Sequence, residues 1–205
     1  MIPRALRSRY AEPWRHYHTL AHIEAMEGHL HDAIEAGAGI TDIPACRAFI
    51  WWHDAIYEPE APPHRNEMRS AQLCEAEMTA SGYEPATIRR AVAMIEATAR
   101  HLPPAATIAP DAPLMLDIDL SIMGASRGAY EQYARAIRCE YGHVAEPAYR
   151  EGRARILRGF VARPAIYLTD WGLRRWEVAA HGNLAWEIDA LTTSGARDET
   201  GIASG

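Results

Sequence analysis

His53 and Asp54 form the most informative pair of adjacent residues in this chain of 205 residues. They lie in an otherwise apolar stretch that runs from Phe49 to Tyr57. A carboxylate in such surroundings is costly unless a basic group or a cation is bound to it. Because an imidazole and a carboxylate can place a nitrogen and an oxygen on the same ion, the pair indicates a metal site.

His22 upstream and Asp119 downstream extend the pair to two nitrogen and two oxygen donors. Such a set suits a first-row divalent ion such as Mn, Fe, Co, Ni or Zn, and suits Mg less well. Four protein ligands leave two positions open for water and a phosphoryl oxygen, so we expect one ion per chain that activates water. Asp117 lies in the same segment as Asp119, and either aspartate could instead cap a short helix.

The segments that must position these donors are predicted to be helices. Alanine is abundant, β-branched runs are absent, and Pro or Gly recurs at helical intervals. Apolar residues at spacings of three and four predict a helix from Thr19 to about Ala36. The other predicted helices cover residues 44–56, 66–81, 85–101, 114–123, 126–141, 147–161 and 173–191. We therefore predict one all-α domain over residues 1–192, with a disordered tail over residues 193–205.

Composition limits the class of partner. The net charge is −6, and every basic residue other than histidine is an arginine. This charge argues against a protein that coats a polymeric nucleic acid. The sequence predicts no signal peptide, and it contains no apolar run of membrane length. We expect a cytoplasmic protein that binds a small molecule and no membrane, and a homodimer is one option for its assembly.

The order His, then His-Asp, then a distant Asp resembles that of the HD superfamily of metal-dependent phosphohydrolases. The wider sequence is similar to a branch of small predicted HD phosphohydrolases, over roughly residues 10–188. The segments that carry this resemblance are Tyr10–Ile23, Trp52–Tyr57, Asn66-Glu67 with Ser70-Ala71, Thr98 with His101, Asp117–Ile122, Tyr130 to Tyr141, Ile166-Tyr167 and Asn183-Leu184.

The resemblance implies an HD-type helical bundle with a metal site in its core. Its ligands would be His22, His53, Asp54 and Asp119. Asp119 is preferred to Asp117 because the second aspartate of an Asp-x-Asp segment binds metal in related nucleotide hydrolases, which leaves Asp117 a supporting role. Glu67 and Asp54 are the groups expected to manage protons, with Glu58 as an alternative. The expected substrate contacts are His18, Tyr57, Arg100, His101 and Arg138.

The leading expectation is a phosphohydrolase that acts on a small phosphorylated molecule, and most of all on a nucleotide, by attack of metal-bound water. Two alternatives stay open. A diiron oxygenase of the same superfamily would need two further histidines between Asp54 and Asp119, where only His64 and His101 lie. A non-catalytic module would keep the fold in order to bind a metal or a nucleotide.

Overall fold

A computed structural model describes residues 4–193, and within this range the chain is all-α with no β-strand, as predicted. None of the described helices is both long and apolar enough to cross a membrane. The helices are α1 (Arg4–Arg9), α2 (Leu20–Glu35), α3 (Ile43–Trp52), α4 (Arg65–Ala80), α5 (Pro85–Thr98), α6 (Ala112–Asp119), a 3-10 helix (Leu120–Gly124), α7 (Arg127–Glu140), α8 (Glu146–Val161) and α9 (Asp170–Thr193). The sequence predicts a disordered tail over residues 193–205. Thr193 is instead the last residue of α9, and residues 194–205 lie outside the described range.

The helix predicted over residues 44–56 ends earlier than expected, at Trp52. His53 is its C-cap, and its Nδ1 atom lies 3.0 Å from the carbonyl oxygen of Ile50. Asp54 lies in the turn that follows. The His-Asp pair therefore lies just beyond the end of a buried helix, where the backbone is free to turn both side chains towards one point.

The chain folds into two compact units, the first up to Asp119 and the second from Leu120 onward. In the first unit, α5 packs against α3, α4 and α6, while α2 packs against α3 and α6. In the second unit, α9 packs against α7, α8 and the 3-10 helix. That these two units belong to the single domain predicted over residues 1–192 stays a prediction.

The first unit has a dense apolar core that fixes the helices carrying the predicted ligands. Its fully buried side chains include Ile23, Met26, Phe49, Ile50, Met94, Ile95, Met115 and Ile118. Asp111, just before α6, accepts hydrogen bonds from the backbone amides of Thr41 and Asp42 at 2.9 Å each. Since Asp42 caps α3 through the amide of Ala45, the starts of α3 and α6 are tied together.

The second unit is closed by two polar links and one close approach. The side-chain Nδ2 atom of Asn183 donates to the carbonyl oxygens of Met123 and Ala125, at 2.8 and 2.9 Å. Gly124 lies so close to Trp176 that a Cβ atom at Gly124 would be 2.3 Å from the Cβ atom of Trp176. Only a glycine therefore allows the 3-10 helix to approach α9 this closely.

Candidate metal centre

Two buried imidazoles face each other in the first unit. His22 lies in the first turn of α2 and His53 caps α3. Their Nε2 atoms are 3.3 Å apart, and the exposed fractions of the two side chains are 4% and 1%. Because Leu20–Glu35 and Ile43–Trp52 pack against each other, the histidines meet although they are far apart in sequence.

Two carboxylates complete the cluster. Asp54 Oδ2 lies 3.0 Å from the Nε2 atom of His53. Asp119, the last residue of α6, places Oδ1 3.3 Å from the Nε2 atom of His22 and 3.5 Å from that of His53. One donor atom each from His22, His53 and Asp54 lies within 4.8 Å of the others, and Asp119 contacts both imidazoles. The structure thus brings together the four residues that the sequence singles out.

The separations within the cluster fit ligands that share one ion. Ligand atoms around a tetrahedral or octahedral ion with bonds of about 2.1 Å are about 3.0–3.4 Å apart. The four separations between imidazole nitrogens and their neighbours are 3.0, 3.3, 3.3 and 3.5 Å. Two lone-pair nitrogens that face each other beside carboxylates are also a poor arrangement unless a proton or a cation lies among them. The donor set therefore fits a divalent cation.

The outward nitrogens of both imidazoles have partners of their own. His53 Nδ1 lies 3.0 Å from the carbonyl oxygen of Ile50, which can only accept a hydrogen bond. That bond assigns the Nδ1 proton and leaves Nε2 as the ligand nitrogen. The Nδ1 atom of His22 lies 3.1 Å from the hydroxyl oxygen of Tyr17. Hydrogen bonds of this kind orient metal-binding histidines and raise their basicity.

The carboxylates shift the pKa values of the cluster strongly. Burial lowers the pKa of His22, and the neighbouring Asp119 only partly offsets this effect. For His53 burial also disfavours the charged form, but the charges of Asp54 and Asp119 outweigh it and raise the pKa well above its usual value. Burial would raise the pKa of both carboxyl groups, yet His53 and the other nearby histidines hold them below their usual range. The centre therefore favours a positive charge between two ionised carboxylates.

One side of the cluster is open. The exposed side-chain fractions are 20% for Asp54 and 13% for Asp119, against almost none for the two central imidazoles. His18 Nε2 lies 3.9 Å from Asp54 Oδ2, and its ring centroid lies 4.3 Å from that of Tyr57, with the two rings tilted by 31°. His101 Nε2 lies 3.2 Å from Asp119 Oδ2. Two of the predicted substrate contacts, His18 and His101, therefore adjoin the open side, whereas Tyr57 is buried and contacts His18.

His101 adopts a backbone conformation that is rare for a residue with a side chain. Its φ is +48°, in the left-handed region just after the end of α5. Glycine is the usual residue at such a helix end, and a non-glycine residue there costs of order 1 kcal/mol. This conformation accompanies the contact between the imidazole of His101 and Asp119.

The other predicted site residues lie elsewhere or make different contacts. Glu67 is half-buried in the first turn of α4, and within the described range no ion pair or hydrogen bond joins it to the cluster. Arg100 is exposed just after α5. In the second unit, Arg138 donates to Glu146 and to the carbonyl oxygens of Tyr141 and Val144. The roles of these residues stay predictions.

Asp117 is buried on a different side of α6 from Asp119. Its exposed fraction is 1%. Two residues apart on an α-helix point about 200° away from each other, so the two carboxylates do not share a direction. Asp119 contacts both imidazoles, and the supporting role expected for Asp117 stays a prediction.

Sequence reasoning missed two residues beside the cluster. Tyr17 contacts His22, and Arg15 contacts the backbone of Asp54. Both lie in the segment of the resemblance that precedes α2, but nothing in the local pattern assigns them a role. An arginine between aromatic residues would have been the only signal.

Comparisons of the chain with protein-family models, with curated proteins and with solved structures found no match.

Proposed function

We propose that the first unit binds one divalent transition-metal ion and that the protein is a metal-dependent phosphohydrolase for a small phosphorylated substrate. The observation that carries this proposal is the cluster of His22, His53, Asp54 and Asp119, with ligand-like separations of 3.0–3.5 Å. The resemblance of its order along the chain to the HD superfamily supports a phosphohydrolase. A nucleotide is the leading substrate class for the same reason.

The chain's own residues have separate tasks in this proposal. A divalent ion held here would lower the pKa of water and polarise the bond from phosphorus to oxygen. His22 and His53 form the buried side of the site, so that a substrate approaches only from the side of the carboxylates. Asp54 lies on that open side beside His18 and can accept a proton from water. The hydrolysis would form a bond from water oxygen to phosphorus and break the bond from phosphorus to the leaving oxygen, and the proton that water loses to Asp54 would pass to that leaving oxygen.

The open side supports a small anionic substrate. The imidazoles of His18 and His101 lie here beside Asp54 and Asp119, and an imidazole is a side chain of the type that donates to phosphate oxygens. The ring of Tyr57 is buried and packs against His18, with ring centroids 4.3 Å apart, so Tyr57 supports His18 from the core. The net charge of −6 disfavours a long polyanion, because repulsion grows with the number of phosphates.

One observation favours the diiron oxygenase as a second candidate. The two oxygens of Asp119 face different histidines: Oδ1 faces His22 and His53, and Oδ2 faces His101. A carboxylate with this arrangement can bridge two ions. His64, which the six-ligand set would also need, is exposed and is the N-cap residue of α4. The single-ion hydrolase is therefore the first choice.

Metal content per chain tests the proposal. Protein purified without chelator would be analysed for elements as the wild type, as His53→Ala and as the matched control His31→Ala, which changes an exposed histidine of α2. We expect about one equivalent of a transition metal in the wild type and in the control, and none in His53→Ala. The metal found would then be used in a phosphate-release assay on a panel of nucleotides.

Other outcomes point to the alternatives. About two equivalents of iron would favour the oxygenase. Metal without turnover on the panel, together with a nucleotide that raises the melting temperature, would favour a binding module. A wild type that takes up no metal after reconstitution would contradict the metal centre.

A further inference from the structure

Arg15 is a buried arginine that binds backbone carbonyl groups beside the cluster. Its side chain has an exposed fraction of 0%. Its Nη1 atom donates to the carbonyl oxygens of His18 and Asp54, at 3.1 and 2.9 Å. Its Nη2 atom donates to the carbonyl oxygen of Ala55 at 3.4 Å, and its Nε atom to the carboxylate of Glu12 at 2.9 Å. One guanidinium thus joins the segment before α2 to the turn after α3.

Aromatic side chains enclose this guanidinium. Its carbon lies 5.1 Å from the ring centre of Tyr10 and 5.4 Å from that of Tyr57. The hydroxyl of Tyr10 donates to the carbonyl oxygen of Trp51 at 2.7 Å, and the indole of Trp14 donates to that of Tyr57 at 2.9 Å. Residues 10–15 therefore supply donors to the carbonyls of residues 51, 54, 55 and 57.

These donors complete the end of α3. The last four carbonyls of a helix lack partners within it. Here the carbonyl of Phe49 accepts from the amide of His53, and that of Trp52 accepts from the amide of Ala55. The carbonyl of Ile50 pairs with His53 Nδ1. The carbonyl of Trp51 accepts from the hydroxyl of Tyr10. The carbonyls of Asp54 and Ala55 lie beyond this set, and Arg15 holds them. The path of the backbone through the His-Asp pair thus depends on Arg15.

We propose that Arg15 is the positioning residue of the candidate metal centre, because its Nη1 atom sets the spacing between the His18 backbone and the Asp54 backbone. This inference rests on the proposed metal site. Arg15 touches no ligand atom, and it acts through the backbone that carries His53 and Asp54. A planar fork is required, since lysine has a single nitrogen and cannot reach three carbonyls and a carboxylate at once.

The test compares Arg15→Lys with Arg90→Lys in the full-length chain. Arg90 lies on α5 in the same unit and forms an ion pair with Asp42 at 2.7 Å, away from the cluster, so its variant reports on a structural loss alone. Co²⁺ serves as the metal, because its visible absorption reports ligand number and geometry. We expect Arg15→Lys to lower Co²⁺ affinity by roughly 10–100-fold, as for other residues that orient metal ligands, and to change the absorption spectrum. Arg90→Lys should keep both while lowering the melting temperature.

Glu12→Ala provides a second variant in case Arg15→Lys does not fold. Glu12 is half-buried, and its removal frees the Nε atom of Arg15 while leaving the guanidinium in place. We expect a smaller loss of Co²⁺ affinity in the same direction. Unchanged affinity and spectrum in a folded Arg15→Lys, or an equal loss in Arg90→Lys, would overturn the inference. A wild type without Co²⁺ binding would instead overturn the metal centre itself, and the role of Arg15 with it.

Discussion

At the scale of single residues, His53 is the member of the cluster whose proton a bound cation would displace. Its Nδ1 atom is paired with the carbonyl oxygen of Ile50, and its Nε2 atom faces Asp54 and Asp119. The two carboxylate charges outweigh burial and raise the pKa of His53 well above its usual value. In the absence of an ion, a proton on His53 therefore supplies the positive charge, and a metal must displace it.

This competition predicts a pH dependence of metal affinity. Below the raised pKa of His53 each bound ion releases a proton, so Co²⁺ affinity should rise by about tenfold per pH unit and level off once His53 is neutral. Titration calorimetry between pH 6 and pH 8, in buffers of different ionisation enthalpy, measures both the affinity and the proton released. The exposed-site variant His31→Gln should show the same slope. An affinity independent of pH would contradict the assignment of His53.

The choice between the two aspartates of α6 also belongs to this scale. Asp119→Asn replaces a charged ligand with a neutral amide, and we expect it to weaken Co²⁺ binding by at least roughly 10–100-fold, the loss typical of residues that only orient ligands. Asp117→Asn should keep the Co²⁺ affinity of the wild type. Circular dichroism checks that each variant is folded. Competition with a chromophoric chelator measures both affinities. The reverse order of losses would exchange the two assignments.

At the scale of elements, the 3-10 helix and α9 of the second unit approach each other closely at Gly124. A Cβ atom there would lie 2.3 Å from Cβ and 2.7 Å from Cα of Trp176. Gly124→Ala must therefore push the two elements apart, and we expect a loss of about 1–3 kcal/mol in the free energy of unfolding. Urea unfolding, followed by circular dichroism, measures this change.

Gly152→Ala is the matched control for that variant. Gly152 lies inside α8, and a Cβ atom there would meet nothing within 4 Å. The change should raise the free energy of unfolding by about 0.5–1 kcal/mol, since alanine loses less conformational entropy in a helix than glycine does. Equal effects of the two variants would show that the approach at Trp176 is not tight in solution.

At the scale of the whole molecule, the cluster belongs to the first of two compact units. A ligand stabilises only the states that bind it, by about 2.7 kcal/mol when its concentration is 100 times Kd. Hydrogen exchange with and without Co²⁺ should therefore show a gain in protection in α2 and α3 that exceeds the gain in α9. His53→Ala should show no gain in any of them. Equal gains in all three helices would mean that both units open in one cooperative step.

The sequence by itself determined the fold class, and it pointed to the residues of the candidate cluster. Local hydrophobic spacing and helix-ending residues predicted most of the helices, because both signals arise within a few residues. They missed the short α1, and they ran α3 past Trp52 and α6 into the 3-10 helix. The order of His22, His53, Asp54 and Asp119 predicted a shared site. The structure places donor atoms of His22, His53 and Asp54 within 4.8 Å of one another and Asp119 beside both imidazoles, and their role as metal ligands stays a prediction. Ionisable side chains in apolar segments can thus be recognised from the sequence alone, because burying them without a partner is costly.

Only the tertiary structure decided what surrounds that cluster. It ends α3 at Trp52, places His101 against Asp119, and joins Arg15 to the carbonyl of Asp54, 39 residues further along the chain. These contacts satisfy backbone and side-chain groups that are distant in sequence, so no local period records them. Which of several equivalent carbonyls an arginine binds depends on how the helices pack, and packing is settled by the whole core at once.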